Sequence, residues 1–109
     1  MSKIDELAMK FVKSENLVYE RDGSITIKCH ECLEFLITLF QEPNTKNIVE
    51  FARFYCRAMD IINNYVDDGV ISINELDMVM NMLMPDDFYN EFIRHVRQNN
   101  IRCESLLKA

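Results

Sequence analysis

The chain has little loop-forming material and no stretch suited to a membrane. Two glycines and two prolines occur among 109 residues, although these are the residue types that form most turns. No apolar run is long enough to span a bilayer. The first residues, Met-Ser-Lys-Ile-Asp-Glu, lack the hydrophobic segment of a signal peptide. We therefore expect one cytoplasmic domain, a size that the length also favours.

Basic residues are outnumbered by acidic ones. The chain has 12 Lys and Arg against 18 Asp and Glu, which gives a net charge of −6. Nucleic acids and anionic membranes are bound by basic surfaces, so we expect neither as a partner. No block of like charge is present, and a solvated acidic surface therefore explains the acidity better than mimicry of DNA does.

Catalytic motifs are also missing. The only histidines are His30 and His95, and no Ser-His-Asp order, glycine-rich phosphate loop or His-x-x-x-His pair is found. His95 has the position of a surface residue that a helix dipole stabilises. The sequence predicts a protein that is not an enzyme and uses no cofactor.

Four cysteines occur, and in the cytosol they would be reduced thiols: Cys29, Cys32, Cys56 and Cys103. The first two form a Cys-x-x-Cys spacing, which metal and redox sites use. A zinc site needs four ligands, and a second pair is absent. Because Cys29 and Cys32 lie on one stripe of a predicted helix, packing in the core is the favoured interpretation. A metal or redox role is the alternative, since the pair lies near the start of that helix.

The apolar residues recur at helical spacing and predict five helices. The first begins after Ser2, with a continuation to Tyr19 left open, and the second runs from Lys28 to Gln41. The third begins at Asn44 or Asn47 and ends near Asn64. The fourth begins with a capping box, Ser72-Ile-Asn-Glu75, and stops at Pro85. The fifth begins at Asp86 and Asp87 and ends before Asn99. The third has the clearest periodicity, so we expect it at the centre.

Two turn segments resemble each other. Tyr19-Glu-Arg-Asp-Gly-Ser-Ile-Thr-Ile-Lys-Cys-His aligns without a gap with Tyr65-Val-Asp-Asp-Gly-Val-Ile-Ser-Ile-Asn-Glu-Leu, at an offset of 46. In each, an Asp-Gly turn precedes a short extended segment, residues 24–27 and 70–73. We therefore predict an all-α fold of about five helices, with two extended segments that could form a β-bridge. Its parts are a first helix–turn–helix unit (1–42), a second unit (44–84), an extra helix (86–98) and a tail (99–109).

The segment Gly69-Val-Ile-Ser-Ile-Asn-Glu-Leu-Asp-Met-Val-Met-Asn-Met-Leu83 resembles the loop exit and second helix of a calmodulin-type EF-hand, and the two units together resemble a degenerate EF-hand pair. The resemblance implies calcium ligands at Asn64, Asp68, Ser72 and Glu75, with Glu75 as the bidentate carboxylate. Two departures weaken the loop, because Asn64 is neutral and Val66 cannot coordinate a cation. In the first unit, Val18 and Cys29 occupy ligand positions. We expect no calcium at the first loop and weak binding at the second; a turn followed by a helix cap is the favoured interpretation.

Methionines alternate along the fourth helix at Met78, Met80, Met82 and Met84, with Met80 on the inner face. Flexible, polarizable methionines fill cores and also form adaptable binding surfaces. With the aromatic residues Phe88, Tyr89 and Phe92 they could form a groove for a partner's helix, bordered by Asp77, Asp86 and Asp87.

The preferred function is a small acidic protein-binding module that regulates or inhibits a partner protein. The alternatives are a weak calcium-responsive switch and a homo-oligomeric structural protein, such as a homodimer. The short, acidic chain, rich in Asn and Met, is in style typical of a viral or phage accessory protein.

Overall fold

The computed structural model describes residues 2–65 and 69–99. Within them the chain forms five α-helices and one two-stranded antiparallel sheet. The helices are α1 (Lys3–Phe11), α2 (His30–Phe40), α3 (Thr45–Asn64), α4 (Ile73–Leu83) and α5 (Asp86–Gln98). The strands are β1 (Leu17–Tyr19) and β2 (Ile25–Ile27), and a 3-10 turn, Ser14–Asn16, precedes β1. The predicted all-α class with five helices is confirmed.

The structure shows why the helices begin where they do. The Ser2 hydroxyl accepts a hydrogen bond from the Asp5 amide at 3.2 Å, and the Asn44 side chain accepts one from the Asn47 amide at 2.9 Å. Both contacts satisfy amides that a helix start leaves without an intrahelical partner. Of the two caps considered for the third helix, the structure uses Asn44.

The segment after α1 forms a hairpin and no helix, so a continuation of the first helix to Tyr19 is wrong. Leu17 pairs with Ile27 and Tyr19 with Ile25. The turn closes through the Gly23 amide, which donates to the Glu20 carbonyl at 3.1 Å. Gly23 has φ +89°, a left-handed conformation that glycine adopts without steric cost. Two β-branched or aromatic residues, Val18 and Tyr19, favour the strand before the turn.

The two predicted extended segments do not pair with each other, because each pairs with a different part of the chain. Ile25–Ile27 pairs with β1, whereas Val70 forms an antiparallel bridge with Lys13, just after α1. The Ile71 amide donates to the Val12 carbonyl, and the Ser14 amide donates to the Gly69 carbonyl, both at 2.8 Å. The segment that precedes α4 is therefore hydrogen-bonded to the end of α1.

Helix α3 is central, as predicted, because α1, α2 and α5 all pack against it. Phe51 contacts the rings of Phe88 and Phe92 edge-to-face, with centroid distances of 5.6 and 4.9 Å. About one turn further along α3, Phe54 packs edge-to-face on Phe11 of α1 at 5.5 Å. Such aromatic pairs add stabilisation beyond burial of their area.

One residue of α2 faces the opposite way from what helical spacing predicts. The spacing puts Ile37 with Leu36 and Phe40 in the buried stripe, but Ile37 is 48% exposed, while Leu39 is buried. No helix among the described residues is long and apolar enough to cross a membrane.

Candidate functional site

Helix α4 begins with the predicted capping box. The Ser72 hydroxyl accepts from the Glu75 amide at 3.1 Å, and Oε1 of Glu75 accepts from the Ser72 amide at 3.0 Å. The two residues thereby satisfy two backbone donors that the helix start would leave unpaired. This cap fixes the position at which α4 starts and, with it, which side chains face outward.

The inner face of α4 is fully buried, whereas its outer face is open and uncharged. Leu76, Val79 and Met80 are buried in the core. Met78 and Met82 are 44% and 47% exposed, and residues four apart lie next to each other on a helix. Two exposed asparagines, Asn74 and Asn81, complete the same side of the helix. We call these four residues the α4 outer face.

Both charged side chains of α4 lie beside this face and contact other elements. The Asp77 carboxylate accepts a hydrogen bond from the hydroxyl of the buried Tyr55 on α3. The Glu75 carboxylate accepts one from the hydroxyl of Tyr19 on β1. The α4 outer face is therefore an uncharged strip with carboxylates on either side. The sequence analysis identified the methionines but did not include the asparagines. Helical spacing could have identified Asn74 and Asn81, because both fall on the same side of the helix as Met78.

Three residues predicted for the contact surface are buried, so their assignment is corrected. Met84 is 6% exposed, and Phe88 and Phe92 are completely buried. Helix α5 begins directly after Pro85, and its apolar stripe faces α3, where Phe88 and Phe92 pack on Phe51. The predicted groove of methionines and aromatics therefore does not form in this structure. Tyr89 is partly buried against the core.

The predicted acidic border is partly exposed. Asp86 and Asp87 are exposed in the first turn of α5, where a negative charge is favourable at the positive end of the helix dipole. Asp77 is half-buried because it contacts Tyr55. Asp86 and Asp87 thus provide exposed negative charge, and Asp77 provides an anchored carboxylate beside Met78.

The calcium ligands implied by the EF-hand resemblance are only partly described. Asn64 and Ser72 are exposed, and Asp68 lies outside the described residues. Both oxygens of Glu75 are already hydrogen-bonded, one to the Tyr19 hydroxyl and the other to the Ser72 amide. The Tyr19 hydroxyl, followed by the Ser72 amide, lowers the pKa of Glu75, and the same contact raises the pKa of Tyr19. Within residues 2–65 and 69–99 no three His, Cys, Asp or Glu side chains are placed to hold a metal ion together.

A groove that the sequence did not predict lies beside the bridge between Lys13 and Val70. It has a volume of about 480 Å³ and is lined in part by Met9, Val12, Ile61 and Tyr65. Since α1, α3 and the segment before α4 each contribute to it, no local sequence pattern could have indicated it.

Comparisons with protein-family models, with curated proteins and with solved structures each find no match for this chain. The EF-hand resemblance stays a hypothesis that rests on the residues from Gly69 to Leu83.

Proposed function

We propose that this protein is a small non-enzymatic module that binds another protein through the α4 outer face and so regulates or inhibits it. One observation carries the proposal: two half-exposed methionines lie side by side on a helix face that has no charged side chain, in a protein whose residues are 28% charged. Protein interfaces are depleted in charge at their centre and enriched in methionine. The α4 outer face has both properties.

The charge around the face favours a partner of opposite sign. Asp77 lies next to Met78 in α4, Asp86 and Asp87 lie in the first turn of α5, and the whole chain carries −6. A partner with an apolar patch bordered by Lys or Arg would complement this arrangement, and opposite potentials speed association and suppress wrong partners. A second copy of the chain would present the same negative border, since a twofold dimer apposes the same surface of both subunits. We therefore propose that the partner is a basic protein and not a second copy of this chain.

The test is affinity capture from a lysate of the native host with two matched variants. The double variant Met78→Glu/Met82→Glu adds two negative charges on the α4 outer face. The control, Ile37→Glu/Val49→Glu, adds the same two charges at exposed positions of α2 and α3, where Ile37 and Val49 are 48% and 37% exposed. We expect wild type and control to retain one discrete protein. The α4 variant should bind it at least about tenfold more weakly, since about 1.4 kcal/mol changes Kd tenfold.

Two further measurements separate the alternatives. In the first, capture in the presence of calcium and capture in the presence of a chelator should give the same protein. A partner present only with calcium would support the calcium switch through Asn64, Asp68, Ser72 and Glu75. Light scattering of the wild type should give a monomer mass, and a dimer that the α4 variant abolishes would support the homo-oligomeric alternative. Equal capture by the α4 variant and the wild type would contradict the proposal. The hypothesis of a viral or phage origin is supported by composition alone.

A further inference from the structure

Two thiols lie unusually close together at the start of α2. Cys29 is the N-cap residue and Cys32 lies one turn into the helix. Their sulfur atoms are 2.8 Å apart, closer than an ordinary contact between non-bonded sulfurs. A disulfide bond measures about 2.0 Å, so a small movement of the two side chains would bring the sulfurs to bonding distance.

The two thiols differ in environment. Cys29 is partly exposed, whereas Cys32 is completely buried, and its sulfur lies 3.3 Å from the Leu7 carbonyl oxygen in α1, to which it donates. Burial raises the pKa of Cys32, and its hydrogen bond with Cys29 adds to this effect. Cys29 is therefore the sulfur that an incoming reagent reaches first.

Positive charge also lies near the pair. The first turn of a helix is its positive end, and thiols at helix N-termini or next to lysine are activated as nucleophiles. Lys10 of α1 lies close enough to interact electrostatically with both sulfurs. Its ammonium group also contacts the Glu31 carboxylate at 3.1 Å, which holds it beside the start of α2.

We infer that Cys29 and Cys32 form a reversible intramolecular disulfide, with Cys29 as the attacking thiol and a small disulfide of the glutathione class as the oxidant. The Cys29 thiolate attacks one sulfur of that molecule, a mixed disulfide forms and one small thiolate leaves. Cys32 then loses its proton to water and attacks the Cys29 sulfur, which releases the second small thiolate. The protein loses two electrons and two protons, and the small disulfide becomes two thiols.

Oxidation would change a contact between α1 and α2. In the disulfide, Cys32 has no S–H group and no longer donates to the Leu7 carbonyl. The bond closes a loop of only four residues, and short loops gain little stability from a cross-link. We therefore expect the disulfide to change the α1–α2 contact chemically and to add little to the stability of the fold.

The experiment equilibrates the wild-type protein with glutathione at a series of thiol-to-disulfide ratios, blocks remaining thiols with an alkylating agent and analyses tryptic peptides by mass spectrometry. Cleavage after Lys28 and Lys46 gives a peptide, residues 29–46, that contains Cys29 and Cys32 and no other cysteine. We expect this peptide to carry two alkyl groups under reducing conditions. Under oxidising conditions it should carry none and weigh two hydrogens less than the dithiol peptide. Two alkyl groups at every ratio would overturn the inference.

Two single variants test the order of attack, in a background in which Cys56 and Cys103 are replaced by serine. Cys32→Ser should accumulate a stable mixed disulfide at Cys29, because the resolving thiol is missing. Cys29→Ser should leave the buried Cys32 unmodified in the folded protein, which circular dichroism would check. Modification of Cys32 at the same rate as Cys29 would overturn the assigned order. If a variant fails to fold, the wild-type peptide result decides the inference by itself.

Discussion

Glu75 joins the start of α4 to β1 through one carboxylate. One oxygen accepts from the Ser72 amide at the start of α4, and the other accepts from the Tyr19 hydroxyl on β1. Both donors favour the ionised carboxylate, which is why the pKa of Glu75 is lowered. The sequence predicted the first contact, because a capping box is a local pattern. It could not predict the second, since Tyr19 is 56 residues away.

Replacing Glu75 by Gln should make stability less sensitive to acid. A group whose folded pKa is lowered adds stability above its unfolded pKa, here near the ordinary value of 4.5, and that stability is lost as pH falls through the folded pKa. We expect Glu75→Gln to lower the free energy of unfolding by about 1 kcal/mol at pH 7, with the difference shrinking below pH 4.5. Urea unfolding at pH 7 and at lower pH values measures this.

The matched control is Glu34→Gln at an exposed position of α2. Its free energy of unfolding should stay within about 0.5 kcal/mol of the wild type at pH 7. A loss of stability for Glu75→Gln that is the same at every pH would show that the carboxylate contacts are not the cause.

At the scale of elements, the hairpin β1–β2 depends on the conformation of its turn. The Glu20 amide donates to the Ser24 carbonyl at 2.8 Å, and the loop between them ends in Gly23 with φ +89°. The Asp-Gly pair predicts a turn, but helical spacing leaves open whether the first helix continues to Tyr19. A strand of three residues, Leu17–Tyr19, is too short for a periodic pattern to distinguish it from a helix end.

Gly23→Ala should destabilise the hairpin through backbone strain alone. Apart from Gly23 and its two chain neighbours, no heavy atom of the described residues lies within 4 Å of the position that a Cβ would occupy, so no clash with another residue adds to the effect. A left-handed conformation costs an L-residue about 1 to 2 kcal/mol, and we expect a loss of that size in urea unfolding. Gly23→Asn should lose less, because Asn tolerates this region better than Ala. Equal losses for the two variants would argue against a strained φ at Gly23.

Helices α4 and α5 show what periodicity can and cannot predict. Spacing predicts both helices, and the structure confirms Met80 on the inner face of α4, where Leu76 and Val79 are also buried. Spacing does not reveal which neighbour covers a stripe. Phe88 and Phe92 looked available for a partner, yet they are buried against Phe51, because α5 packs on α3. The direction in which α5 leaves Pro85 is a tertiary property that the local sequence does not contain.

At the scale of the whole molecule, the described residues form an aromatic core with an acidic exterior and leave the uncharged α4 outer face open. The aromatic rings of α3 and α5 form much of the interior. The net charge of −6 favours solubility and disfavours self-association. Composition therefore predicted that the surface is acidic. The location of the open face required the structure, since Met78 and Met82 are exposed only because Leu76, Val79 and Met80 face the core.

The most direct test of the proposed function is site-specific photo-crosslinking in the native host. One protein carries a photo-reactive amino acid at Met78, and a matched protein carries it at Ile37, whose exposure is similar, 48% against 44%. We expect one discrete cross-linked protein from position 78 and none from position 37. The cross-linked protein should be rich in basic residues near the site of the cross-link. The same cross-links from both positions, a cross-link only to a second copy of this chain, or none from position 78 would contradict the proposed function.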